Sequence, residues 1–276
     1  MRITGAALLA GVVGRPVAHS LSPVIHNAWL EAAGVDAVYA AFAPPDEAAF
    51  DLLMAAGRAG LIHGLNVTAP FKGRALACAD EASDTARTCG SANVLAFRDG
   101  RVRAHSTDGE GLLQALAEQA PAVDLTAGPV LFLGAGGAAR AAVAALLAGG
   151  APAVTILNRT AARAQALAAM FDDRVRAAGE APDDIAGARL VINAVSGPVD
   201  FDFGRTPDAV AALDMTYKPL ETPFLTAARA RGLTGVDGLG MLTGQAGPSF
   251  AFIFDRPPPD LDPRAVALAH LEGLEP

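Results

Sequence analysis

GPVLFLGAGGAARAAVAALLAGG, residues 128–150, decides the fold class. It reads as a buried apolar strand, a glycine turn and an alanine-rich helix, in that order. Gly134, Gly136 and Ala139 keep the G-x-G-x-x-G/A spacing of a dinucleotide-binding turn, with Gly137 alongside. Side chains here would keep a pyrophosphate from the backbone N–H groups at the helix start, so glycine suits the chemistry. A glycine turn alone is equally a tight structural turn. The strand before and the helix after favour nucleotide binding across Gly134, Ala135, Gly136, Gly137 and Ala138.

Toward the C-terminus the same texture continues. APAVTILNRTAARAQALAAMF repeats strand, turn and helix, and RLVINAV, VAALDMTY and LTGVDG supply further apolar strands. Strands alternating with helices imply a mostly parallel sheet covered on both faces. Helices are expected near 244–254 and 262–272. The second strand of this region ends at Asn158-Arg159-Thr160, about 20 residues past the glycines, where an acidic residue would bind a ribose 2′-hydroxyl. A cation stands there instead. Arg163 follows four residues on and shares a helical face with Arg159 if both lie in the first turn. Together they could clamp a 2′-phosphate, with Thr160 capping the helix; the alternative is two solvated arginines. The expected cofactor is NADP.

Toward the N-terminus, ALLAGVVG closed by Gly14 and AVYAAF at 37–42 read as strands. SPVIHNAWLEAAG between them reads as a helix with Ser22 as its cap, Pro23 in the first turn and Gly34 as the stop. PDEAAFDLLMAAGRAG is a second helix, HGLNVT a third strand, and ANVLAF with RDGRVRAHS a hairpin about an Asp-Gly turn. An α/β unit with an antiparallel component precedes the parallel one.

Composition narrows the function classes. The chain has 276 residues, 52% hydrophobic and 18% charged, which describes packed globular domains. A formal charge of -8 gives no support to a nucleic-acid partner. Cys78 and Cys89 cannot supply a four-ligand zinc site, and His63, His105 and His270 are scattered, so no metal is expected; His19 reads as shaping the loop before Ser20. No signal-like start and no apolar run near ~20 residues is read, so the expectation is a cytoplasmic protein without a membrane partner.

Lys72, in GLNVTAPFKG, is one of two lysines in a chain with 21 basic residues. With Asp108 in HSTDGEG, and His26, it is among the few ionisable groups in small or apolar surroundings. A nicotinamide enzyme acting on an alcohol needs a group to move the hydroxyl proton, and a Lys–Asp pair can do it. From the residues alone, Lys72 is equally a solvated lysine at a helix start, and Asp108 a turn or cap. His26, on an apolar helix, reads first as packing, as do Trp29 and the two thiols. Met215 and Met241 suit either a nicotinamide pocket or ordinary packing.

SLSPVIHN, NVTAPFK, STDGEG, GAGGAAR, NRT, DMTYKP and GLGMLTGQ occur in this order, and together they resemble shikimate dehydrogenase from about residue 11 to 254. SxSPxxHN with NVTxPxK is a specific combination. The resemblance implies NADPH-linked reduction of 3-dehydroshikimate to shikimate. It also implies two α/β domains. One, a mixed-sheet substrate domain, covers 1–109 and is completed by C-terminal helices in 240–276; the other, a Rossmann-type NADP domain, covers 110–239. Carried over, Ser20 and Ser22 bind the substrate carboxylate, Asn66 and Thr68 hold ring and carboxylate, and Lys72 is catalytic with Asp108. Asn93 and Asp108 meet ring hydroxyls, Gln245 reaches in from its helix and Tyr217 lines the cleft. On the cofactor side stand the glycine turn, Asn158, Arg159, Thr160, Arg163, Met215 and Gly238.

Two departures from the family pattern stand out: Ser106 precedes Thr107-Asp108 where Asn is usual, and after Ala92 the chain reads Asn93-Val94-Leu95 where Asn-Thr is common. A quinate/shikimate dehydrogenase of relaxed specificity is the neighbouring reading, and a cofactor-binding regulator without turnover a remote one. The expected assembly is a monomer or homodimer.

Overall fold

The computed structural model describes residues 3–178, 185–195 and 197–273. The chain forms two compact units, Met1–Thr107 with Gln245–Pro276, and Asp108–Gly244. The changeovers at 107/108 and 244/245 lie a few residues from the expected 109/110 and 239/240. Leu274, Glu275 and Pro276, inside the expected range, lie outside the described residues.

The first unit is built on β1 (Leu8–Val13), α1 (Ser22–Ala32), β2 (Ala37–Phe42), α2 (Glu47–Arg58), β3 (Gly64–Val67), α3 (Lys72–Ala77), β4 (Glu81–Ala82), α4 (Asp84–Cys89), β5 (Val94–Arg98) and β6 (Arg101–His105). Its sheet runs β2-β1-β3-β5-β6-β4. β1 pairs parallel with β2 and β3, while β5 is antiparallel to β3 and β6. The hairpin forms because Asp99 and Gly100 both take positive φ, 51° and 75°, as a two-residue turn of matching twist requires. Phe50, Leu65, Phe71 and Phe97 fill the core on one side.

The second unit holds α5 (Asp108–Gln119), β7 (Val130–Leu133), α6 (Ala139–Ala148), β8 (Val154–Leu157), α7 (Ala161–Ala168), β9 (Val175–Ala177), β10 (Leu190–Asn193), β11 (Ala211–Asp214), α8 (Pro223–Ala230) and β12 (Thr234–Val236). Its six strands run β12-β11-β10-β7-β8-β9, every pair parallel. Val130 and Phe132 face one core, Leu131 and Leu133 the other. Strands buried on both faces must be apolar at every position, which is why VLFL shows no alternation. The order reverses between β7 and β10, the switch point where open α/β sheets take ligands.

α9 (Gly238–Phe254) and α10 (Pro263–Leu271) complete the chain. α9 starts six residues before the expected 244, because Gly238, Gly240 and Gly244 hide helical periodicity. Ser22 is not the cap of α1: the cap position is Leu21, no side chain caps it, and Ser22 is the first helical residue. No helix among the described residues is long and apolar enough to cross a membrane.

Candidate active site

A buried polar chain runs through the first unit. Tyr39, on β2, donates its hydroxyl to Asn66 Oδ1 at 2.8 Å, and Ser22 hydrogen-bonds the same tyrosine. Burial, partly countered by Ser22, pushes the Tyr39 pKa well above its ordinary value, so the phenol stays a donor. Asn66 spends both amide hydrogens inside the protein, on Asn93 O (3.2 Å) and Ser249 Oγ (2.9 Å). Ser249 Oγ lies 3.0 Å from Thr107 Oγ1, which accepts from Asn93 Nδ2 at 3.0 Å. Asn93 Oδ1 accepts from Thr107 N at 2.8 Å, and Asn93 Nδ2 also donates to Gln245 Oε1 at 2.7 Å.

Following the hydrogens around this chain fixes what each amide can still offer. Asn66 has used its donors and retains acceptor capacity at Oδ1. Gln245 has used Oε1 as acceptor and presents Nε2 as donor. Left unbonded on burial, such groups would each cost about 1–3 kcal/mol by mutational measure. The arrangement suits a ligand rich in hydroxyls, whose oxygens both give and take hydrogen bonds.

The other expected residues of this unit stand at element ends. Ser20 Oγ accepts from Ser22 N at 3.3 Å, so the two serines form one turn at the head of α1. Thr68 ends the β3 segment, its carbonyl taking Phe71 N at 3.0 Å. Lys72, half-buried, opens α3, and its carbonyl accepts Ala92 N at 3.0 Å, which ties the lysine's backbone beside Asn93. His26 lies stacked on Tyr39 with ring centroids 4.3 Å apart and edge-on to Trp29. Burial lowers its pKa to about 3, so it is a neutral packing residue, as its apolar helix suggested.

The second unit carries the remaining expected residues. Gly134 has φ +108°, and a Cβ there would meet the Ala194 backbone at 3.2 Å, so this turn at the switch point requires glycine. Gly136 and Gly137 are different: a Cβ on either would project into open space. Their bareness does nothing for packing but leaves the approach to α6 clear, with Ala138 at its cap position. A dinucleotide pyrophosphate fits this ground, since backbone donors face a cleared volume.

At the end of β8, Asn158 Nδ2 donates to Thr160 O at 2.9 Å. Arg159, Thr160 and Arg163 are all exposed. Two expectations need correction. Arg159 precedes the helix, since α7 starts at Ala161, so helical spacing does not relate it to Arg163. Thr160 holds the cap position without a side-chain cap bond. Gly238 opens α9, and a Cβ on it would fall 2.5 Å from Met215 O; its glycine serves the close approach of the 215–216 backbone. Met215 packs on the sheet core, Tyr217 follows β11 half-buried, and Asp108 is the buried first residue of α5.

Tyr39, Thr107 and Ser249 were not picked out from the sequence. Tyr39 sits in an apolar strand and Ser249 in an apolar helix after Pro248; a lone polar residue in each was the available signal. Among the described residues no group of His, Cys, Asp or Glu could hold a metal ion.

Residues 12–95 match the shikimate dehydrogenase substrate binding domain and residues 115–200 the shikimate / quinate 5-dehydrogenase domain. A shikimate dehydrogenase (NADP(+)) of Caulobacter vibrioides is 53% identical over 96% of both chains. Among solved structures, the shikimate 5-dehydrogenase of Thermus thermophilus in complex with NADP(H) and shikimate is 37% identical, with TM-score 0.84 over 97% of this chain and 100% of that one. The quinate dehydrogenase of Corynebacterium glutamicum with NAD is 29% identical, with TM-score 0.86 over 96% and 99%.

Proposed function

The chain belongs to the shikimate dehydrogenase family, and on that premise we propose that it reduces 3-dehydroshikimate to shikimate with NADPH, reversibly, in aromatic amino acid biosynthesis. The observation that carries the reading is the buried chain of Asn66, Asn93 and Gln245, in which Asn93 links the other two and the capacity left at Asn66 Oδ1 and Gln245 Nε2 matches a polyhydroxylated ring. Bound NADPH supplies the hydride. Ser20, Ser22 and Thr68 receive the substrate carboxylate as short neutral donors, and Asn66, Asn93 and Gln245 fix the ring hydroxyls. Tyr217 lines the substrate side. Lys72 gives a proton to the oxygen of the ketone as it is reduced and takes it back in oxidation, oriented by Asp108.

The first unit, Met1–Thr107 with Gln245–Pro276, takes the substrate, and the second, Asp108–Gly244, takes NADP. Gly134 to Ala138 receive the pyrophosphate; Asn158, Arg159, Thr160 and Arg163 receive the 2′-phosphoadenosine end; Met215 and Gly238 flank the nicotinamide. The cation at the end of β8 supports NADP over NAD. The protein works in the cytoplasm as a monomer or homodimer, without nucleic-acid or membrane partners. Relaxed quinate specificity is not favoured, since the 53% relative is a shikimate enzyme. Initial rates of shikimate and quinate oxidation, each with NADP and NAD, test the whole reading. Shikimate with NADP should be the fastest pair by far; quinate or NAD at equal rates would overturn it.

A further inference from the structure

Asn27 lies in α1, and the backbone around it engages both hydrogens and the oxygen of its side-chain amide. Nδ2 donates to Pro23 O at 2.8 Å and to Tyr39 O at 2.9 Å, and Oδ1 accepts from Tyr39 N at 3.0 Å. Only this orientation of the amide works, because its flip would set oxygen against two carbonyls. β2 is an edge strand. Asp36 and Phe42 turn their carbonyls to β1, onto Leu8 N (2.9 Å) and Gly14 N (3.1 Å). By strand alternation Tyr39 points both backbone groups away from the sheet, where Asn27 meets them as a neighbouring peptide would.

An edge can be blunted at any of its outward residues, but Asn27 takes the one whose side chain enters the site. The Tyr39 hydroxyl donates to Asn66 Oδ1 at 2.8 Å and is bonded by Ser22. The third bond, to Pro23 O, reaches the residue after Ser22. One amide thus joins the backbone of Tyr39 to the head of α1, and the tyrosine hydroxyl closes the ring back on Ser22. Serine is too short to make all three bonds, and aspartate lacks the donors. Every residue of the ring belongs to the first unit.

We propose that Asn27 is a positioning residue for the substrate, setting the place of the Tyr39 hydroxyl and thereby of Asn66 and Ser22. The proposal rests on the reading that this unit takes shikimate. Asn27 acts through groups that hold the ring and the carboxylate. Its loss therefore weakens binding in ground and transition state alike, raising KM and sparing turnover.

The test is a double-variant cycle on the full-length protein with shikimate and NADP. Asn27→Leu, of similar size without the amide, should raise KM for shikimate by about tenfold, the scale of a lost hydrogen bond. Turnover should stay within about threefold and KM for NADP unchanged. Tyr39→Phe removes the hydroxyl through which Asn27 acts, so adding Asn27→Leu to it should cost little more. The double variant should stay near about tenfold, where independent effects would multiply to about a hundredfold. An unmoved KM, a full multiplication, or a loss shared by turnover and NADP would each overturn the proposal. A parent enzyme with no shikimate activity would instead overturn the reading above, and this proposal with it. Should Asn27→Leu not fold, amide exchange in the parent decides. If the hold of Asn27 adds about tenfold to binding, shikimate returns the same factor to it, slowing exchange of the Tyr39 N–H by roughly tenfold. An exchange rate indifferent to saturating shikimate would overturn the proposal as well.

Discussion

Tyr39 and Lys72 each carry a prediction at the scale of a single side chain. Tyr39 acts through Asn66: it occupies one side of Oδ1 and adds to the hold that Asn93 O and Ser249 Oγ have on the amide from Nδ2. Tyr39→Phe keeps the ring and its stack on His26 but removes the donor to Asn66 Oδ1, so that the amide is held from its Nδ2 side alone. KM for shikimate should rise by about tenfold, the scale of a lost hydrogen bond, while cofactor affinity stays unchanged. An unchanged KM would remove the positioning role. Lys72→Met keeps length and loses the ammonium. Loss of a positioned proton donor should lower turnover by about 10²–10⁴ with NADP binding preserved; turnover within about threefold of the parent would return Lys72 to the solvated surface. At this scale the sequence was readable where a residue type was unusual for its surroundings. A lone lysine in NVTAPFK stood out, whereas Tyr39 and Ser249 looked like core because their partners lie 27 and 183 positions away.

Elements were read best where local chemistry and tertiary packing agree. β7, the glycine turn and α6 agree at every level, and so does the Asp99-Gly100 hairpin. α9 is the counter-case. Gly240 and Gly244 are poor helix formers, yet a Cβ on Gly240 would meet Ala115 Cβ at 3.2 Å and one on Gly244 the Gly111 carbonyl at 3.0 Å. The helix uses these glycines to approach α5, and that contact outweighs a propensity penalty of about 1 kcal/mol each. The loop from β8 to α7 carries the cofactor prediction. Arg159 stands outside the helix on the exposed loop, so its removal should leave the fold intact. In Arg159→Ala, NADP affinity should fall by roughly tenfold or more while NAD affinity is nearly unchanged. Equal losses in fluorescence titrations would remove the 2′-phosphate assignment.

For the whole molecule, His26 sets a pH dependence of stability. Its folded pKa is depressed by burial to about 3, from an ordinary value of 6.5. Between these values the unfolded chain binds a proton that the folded chain refuses, so unfolding takes up a proton. Stability from this residue is complete above pH 6.5 and is lost as pH falls toward 3, by up to about 1.4 kcal/mol per pH unit. His26→Phe, which keeps an aromatic ring against Tyr39 and Trp29, should therefore show a shallower decline in urea midpoint between neutral and acid pH. Identical slopes for parent and variant would mean that His26 is not the group responsible.

By itself the sequence determined the two α/β architectures, the parallel sheet and its glycine turn, and the family. Those features follow from short-range rules: apolar runs for doubly covered strands, glycine for turns, and motifs readable in order. Only the tertiary structure decided which polar residues share hydrogens, why Gly134 needs glycine for packing while Gly136 and Gly137 do not, and where α9 begins. Each of these depends on atoms far apart in the chain meeting within about 3 Å, the reach of a hydrogen bond or a close contact. Residue order carries no such distance until the sheets and helices have closed it.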